Sequence, residues 1–168
     1  MDDYDLGEFK IPKKIQKKLQ DKEWLKKEFA KGRSAQEIMG FSDEAMAKFY
    51  GAAYHLFEKE RYVEAGDAFL FLVTLNPKNP EYWLGLGMTA QMCGKYEEAI
   101  DAYEMAAYYK LESPVPYFYL AKCLFAVEDR ENALQALDLA VEYAADQSEF
   151  AELKSQAIQA KRLLLGNE

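Results

Sequence analysis

Apolar residues recur at three- and four-residue intervals along nearly the whole chain, and polar residues fill the positions between them. That period belongs to amphipathic helices, and no segment alternates with the two-residue period of a strand. Pro12 suits the first turn of a helix running to about Ala30, with Ile15, Leu19, Trp24, Leu25 and Phe29 as its apolar positions and Gly32 as its stop. Ser34 with Glu37 three residues on reads as a capping box for a short helix ending near Gly40. Ser42 then caps a helix over about 43–59. Its partner spans 62–75 and ends at Asn76-Pro77, because proline disfavours helix in the residue before it. Pro80 opens a helix to about 93, Gly94-Lys95 makes a turn, and a further helix runs over 96–109. Pro114 opens the next pair, 114–127 and about 130–145. A last helix over about 148–165 presents Phe150, Leu153, Ala157, Ile158 and Leu164. The fold class expected is all-α.

Within this pattern large and small residues return every 34 positions. Phe49, Ala53, Ala65 and Phe69 are followed by Trp83, Gly87, Ala99 and Tyr103, then by Tyr117, Ala121, Ala133 and Leu137. This is the signature of the tetratricopeptide (TPR) helix-turn-helix repeat. Ala53, Gly87 and Ala121 let one helix of a pair approach its partner, and Ala65, Ala99 and Ala133 do the same from the other side. The aromatics fill the remaining volume. One pair cannot bury its apolar face alone, so the pairs must stack, leaving a concave surface. The organisation expected is an N-terminal helical segment over 1–41 and a TPR domain over 42–168. Three repeats, 46–79, 80–113 and 114–147, are closed by a C-terminal capping helix.

Charge divides the chain unevenly. The formal net charge of −8 resolves into −4 over residues 1–9, +7 over 10–33 and −11 over 34–168. An acidic repeat body repels phosphate backbones and argues against nucleic acid, and the lysine-rich segment reads first as a solvated helix face. No stretch approaches the roughly 18 apolar residues of a membrane span. Met1-Asp-Asp-Tyr-Asp is acidic where a secretory signal is basic, so cytoplasmic residence is expected and membrane insertion is not. Cys93 and Cys123 have no metal-ligand spacing, and His55 is the single histidine. No metal or cofactor is expected. With no phosphate loop and no paired nucleophile and base, no enzyme is expected either.

The candidate chemistry is binding. In a TPR pair the first helix lines the concave face, through positions 2, 5, 9, 12 and 13 of each repeat. The candidates are Ala47, Tyr50, Tyr54 and Phe57 from the first repeat, Leu84, Met88, Gln91 and Met92 from the second, and Phe118, Lys122 and Phe125 from the third. This set is mostly apolar and aromatic, suited to an adaptable groove for an extended apolar peptide. Packing of some of these side chains on one another or on the N-terminal segment is the alternative. Lysine and asparagine clamps for a terminal carboxylate are missing: Tyr50, Tyr54 and Leu84 occupy their places, and only Lys122 is cationic. On the helix 62–75, Leu70, Phe71 and Val73 are apolar beyond what repeat packing needs, whereas Glu104 and Asp138 stand at the place of Leu70 in later repeats. Leu70 and Phe71, with Trp24 and Leu25 of the N-terminal helix, are the expected homodimer interface. Packing under that helix is the other reading.

Four segments carry a more specific resemblance. Phe41-Ser-Asp-Glu-Ala-Met46, Tyr62-Val-Glu-Ala65, Tyr82-Trp-Leu-Gly-Leu-Gly87 and Glu149-Phe-Ala-Glu-Leu153 resemble the class II chaperones of bacterial type III secretion, the LcrH/SycD family, over about residues 30–165. The resemblance implies a non-enzymatic cytoplasmic chaperone that keeps hydrophobic translocator proteins soluble before export. It implies an extended client segment held in the concave groove, with the family's groove aromatics falling on Tyr50, Tyr54 and Phe57 and its aliphatics on Leu84 and Met88. It also implies dimerisation through the N-terminal helices and the first repeat. A general TPR scaffold joining folded proteins is the rival reading.

Overall fold

The computed structural model describes residues 13–166, all-helical where regular and without a strand among those residues. Helices α1 (Lys13–Leu19), α2 (Lys22–Ala30) and α3 (Ala35–Met39) precede three helical pairs. The pairs are α4 (Asp43–Glu58) with α5 (Tyr62–Leu75), α6 (Pro80–Met92) with α7 (Tyr96–Tyr109), and α8 (Pro114–Ala126) with α9 (Arg130–Ala144). A 3₁₀ turn, Ser148–Phe150, leads into α10 (Ala151–Leu165). The chain divides into two compact units, with the boundary between Lys78 and Asn79.

The single N-terminal helix expected from the sequence is two helices. The Asp21 carboxylate accepts from the backbone N–H groups of Glu23 and Trp24 at 3.1 and 3.0 Å, making Asp21 the N-cap of a new helix. An aspartate that satisfies orphan N–H groups in this way competes with helix continuation, so α1 ends at Leu19. The opening at Pro12 lies outside the described residues. In the last turn of α2, the buried Glu28 carboxylate takes Lys31 Nζ at 2.8 Å and Arg33 Nη1 at 2.5 Å. These hydrogen bonds hold its pKa below the usual carboxylate range. Their contribution to stability is therefore present at neutral pH and lost as pH falls through that lowered value.

In the first unit the expected capping box forms: Ser34 Oγ accepts from Glu37 N, and Glu37 reaches back to Ser34 N at 2.7 Å. The buried Gln36 amide donates to Phe41 O and to Asp43 Oδ1 (2.9 Å), fastening α3 to the start of α4. The α4–α5 pair closes over fully buried Ala53, Ala65 and Leu72, with Phe69 1 % exposed. In the second unit, Ala99, Tyr103, Ala121, Ala133 and Leu137 form the centre of one core, onto which α10 lays Ala157, Leu153 and Leu164. The small residues spaced by 34 are thus buried, Ala53, Ala65, Ala99 and Ala133 completely, as close helix approach requires.

The turns inside the pairs repeat as well. Glu60, Gly94 and Glu128, each 34 residues apart, adopt left-handed backbone with φ of 60°, 72° and 65°. The next N–H reaches back across the helix end in each case: Arg61 to Leu56 O, Lys95 to Ala90 O and Asp129 to Leu124 O, at 2.9–3.0 Å. This is the Schellman closure, and glycine fits it without strain only at Gly94. Gly94→Ala should therefore lower stability, and Glu128→Gly raise it, each by about 1 kcal/mol. Thermal melts check this. Open space surrounds a Cβ at Gly94, so only the backbone is at issue. An unchanged melting temperature for Gly94→Ala would rule the strain argument out.

Candidate peptide-binding surface

On α4, Tyr50 and Tyr54 stack edge-on at 4.9 Å between ring centroids, and both rest against the buried Phe69 of α5, at 6.1 and 5.6 Å. Phe57 meets Tyr62 at 5.3 Å, and Ala47 is exposed. The first unit thus presents a half-buried aromatic face, whose rings are held by one another as well as open to solvent. Replacing Tyr54 would disturb the core through Phe69.

In the second unit Leu84 and Met88 lean on the core and are half-buried, whereas Met92 is exposed. Gln91 serves the packing of its own pair, because its Oε1 accepts the Tyr103 hydroxyl at 2.7 Å. Burial raises the pKa of that phenol far above its ordinary value, so it remains a donor at any physiological pH. Phe118, Lys122 and Phe125 succeed one another at helical spacing along one face of α8. Phe118 is buried and forms the floor. Lys122 lays its ammonium 4.4 Å from the Phe118 ring centroid and 5.4 Å from that of Tyr119, a cation held over aromatic faces. Phe125 is 53 % exposed.

These three α8 side chains line a cavity of about 310 Å³ whose far wall comes from α10, through Ala160, Leu163 and Leu164. Leu163 is 68 % exposed. The α10 wall is absent from the sequence-based candidates, which took only first-helix positions. The adjacent leucines Leu163, Leu164 and Leu165 were its signal, since a purely solvating cap has no need for such a run. The thiol of Cys123, next to Lys122 in sequence, is buried and its pKa pushed up to about 11 by loss of solvent, leaving it unreactive at neutral pH.

The outer face of α5 has Leu70 at 54 % and Phe71 at 41 % exposure. Phe71 also meets Phe49 edge-on at 5.5 Å and Phe41 at 6.5 Å, so part of its ring packs inside its own unit. Trp24 and Leu25 on α2 are half-buried, with Lys18 Nζ 5.2 Å from the Trp24 ring centroid.

Comparison with known proteins bears on this surface. A tetratricopeptide-repeat family model matches residues 80–112. Low calcium response locus protein H of Yersinia pestis is 30% identical over 115 residues, which is 68% of this chain and 68% of that protein. This chain belongs to the LcrH/SycD family of type III secretion translocator chaperones. Within the family, the Yersinia enterocolitica chaperone SycD, solved in complex with a peptide of the translocator YopD, aligns with a TM-score of 0.73 at 28% identity. That alignment covers 76% of this chain and 98% of SycD. SycD solved as an alternative dimer gives a TM-score of 0.72 at 28% identity, covering 74% of this chain and 94% of that one. The membership agrees with the helical-pair architecture and with the resemblance carried by the four sequence segments. No helix among the described residues is long and apolar enough to cross a membrane.

Proposed function

We propose that this chain is a cytoplasmic, non-enzymatic chaperone that holds an extended apolar segment of a hydrophobic translocator protein before export. The observation that carries the reading is the α8–α10 cavity of about 310 Å³, with an apolar lining, exposed Phe125 and Leu163 at its rim and one cation, Lys122, over its floor. A hole of that size accepts a single large apolar side chain, such as an anchor of an extended peptide. The aromatic face of Tyr50, Tyr54 and Phe57 and the flexible Met88 and Met92 supply further apolar contact in the same proposal. Holding a client extended hides its anchors without folding it, at an ordering cost that keeps affinity per unit area modest. SycD's complex with a translocator peptide supports the assignment. Co-expression with candidate membrane-inserting secreted proteins, pull-down and mapping of the protected peptide tests it. Retention of folded partners alone, with no apolar segment protected, would favour the scaffold.

Self-association belongs to the same proposal, with Leu70, Phe71, Trp24 and Leu25 at the interface. Leu70→Glu together with Phe71→Glu should turn a dimer into a folded monomer, since twofold symmetry doubles each introduced charge at the contact. Light scattering reads the outcome. Because Phe71 also packs on Phe49, the single change Leu70→Glu separates loss of association from loss of fold. A wild-type chain that scatters as a monomer at tens of micromolar would end this part of the proposal.

A further inference from the structure

The helix-break-helix element α1–α2 carries Lys13, Lys14, Lys17 and Lys18 on its first helix and Lys22, Lys26 and Lys27 on its second, all exposed. Among the described residues its acids are already engaged. Asp21 caps α2, Glu23 pairs with Lys26 at 3.3 Å, and Glu28 is buried between Lys31 and Arg33. Lys13, Lys14, Lys17, Lys22 and Lys27 make no ion pair with any described residue. Interleaved with the lysines are half-buried Ile15, Leu19, Trp24 and Leu25, and Phe29, which is 53 % exposed. Trp24 and Leu25 also belong to the proposed self-association interface, but the lysines and exposed Phe29 are used by neither that interface, the peptide-binding surface nor the repeat packing.

We propose that α1–α2 docks peripherally on an anionic lipid surface, the lysines facing headgroup phosphates and Phe29 entering the headgroup boundary. A basic amphipathic element with aromatic and aliphatic residues among its lysines matches that interface in both charge and polarity. Exposed ion pairs with another protein each contribute little and are screened, whereas an anionic leaflet acts on every lysine within a Debye length at once. RNA fits less well: bases stack on successive open aromatic faces, and of the two aromatics on this element only Phe29 is open, Trp24 being half-buried with Lys18 Nζ 5.2 Å from its ring centroid. The acidic remainder of the chain, net −11 over 34–168, is repelled by the same surface, so contact is confined to the basic element.

The experiment is co-sedimentation of the full chain with phosphatidylcholine vesicles containing about a third phosphatidylglycerol, against pure phosphatidylcholine. Binding to the anionic vesicles only is expected. It should weaken at least about tenfold as salt rises from about 0.1 to about 1 M and the Debye length contracts from about 10 to about 3 Å. Lys13, Lys17, Lys22 and Lys27→Glu together should abolish sedimentation with far-UV circular dichroism unchanged, and Phe29→Ser should reduce it several-fold. Equal binding to neutral vesicles, no binding to anionic ones at low salt, or undiminished binding by the fourfold variant overturns the proposal. So does a lysine-dependent shift of a mixed-sequence RNA, or a salt-sensitive dimer, in a chain that leaves the vesicles unbound.

Discussion

Gly87→Leu is expected to lower the melting temperature by several degrees with or without a client. The α-carbon of Gly87 on α6 lies against the ring of Tyr103 on α7. A Cβ there would stand 2.7 Å from Tyr103 Cε1 and 2.8 Å from Cδ1, closer than side chains tolerate. The ring has nowhere to go. It is fully buried, its hydroxyl is held by Gln91 at 2.7 Å, and its face stacks on Tyr119 at 5.7 Å between centroids. Accommodating leucine means separating α6 from α7 or expelling Tyr103, which leaves the Gln91 oxygen without its donor. Overpacking of this kind costs about 1–3 kcal/mol, and the lost hydrogen bond adds about 1 kcal/mol. For a chain of this size each kcal/mol moves the midpoint by about 2–4 °C. Gly87→Ala should fall between wild type and leucine. If the alanine variant melts with the wild type, the close approach of α6 and α7 at this point is wrong.

Loss of client binding without loss of fold is expected for Phe125→Glu, and for Leu163→Glu from the opposite wall of the same cavity. A carboxylate placed against an apolar anchor loses hydration that the one ammonium of the cavity, Lys122, replaces only in part, at a cost of about 2–4 kcal/mol. Against the roughly 8 kcal/mol of a micromolar complex, that loss weakens binding about thirtyfold to nearly a thousandfold. Both side chains are more than half exposed, at 53 % and 68 %, so their stability effects should stay near 0.5 kcal/mol. Tyr54→Glu separates the two effects less cleanly, because Tyr54 also supports Phe69 at 5.6 Å between ring centroids. Titration with the mapped client peptide measures affinity, and circular dichroism confirms the fold. Wild-type affinity in both variants would remove the cavity from the binding surface.

The pair boundaries were legible because their signals are local. Pro80 and Pro114 begin α6 and α8, Ser34 and Ser42 cap α3 and α4, and Asn76-Pro77 closes α5. The small residues at intervals of 34 announced helix approach, since a missing side chain at a contact is visible in sequence. The break at Gln20–Asp21 was less visible, because a lone aspartate inside a helical pattern is as often a surface residue as a cap. The left-handed turns at Glu60 and Glu128 escaped for a related reason: glutamate carries no signal for positive φ, and only their spacing from Gly94 betrays them.

By itself the sequence determined the helical pairs, their register and the apolar character of the first-helix faces, all of which follow from periodicity and residue size. Tertiary structure decided what each face is made of. It turned Gln91 inward to Tyr103, placed Phe118 on a floor under Lys122, divided Phe71 between its own unit and solvent, and brought Leu163 and Leu164 across from α10 to Phe125. Periodicity records which side of a helix is apolar. Which partner covers that side depends on residues far apart in the chain being brought to one place, as Phe125 and Leu163 are at one cavity, and no local pattern encodes that.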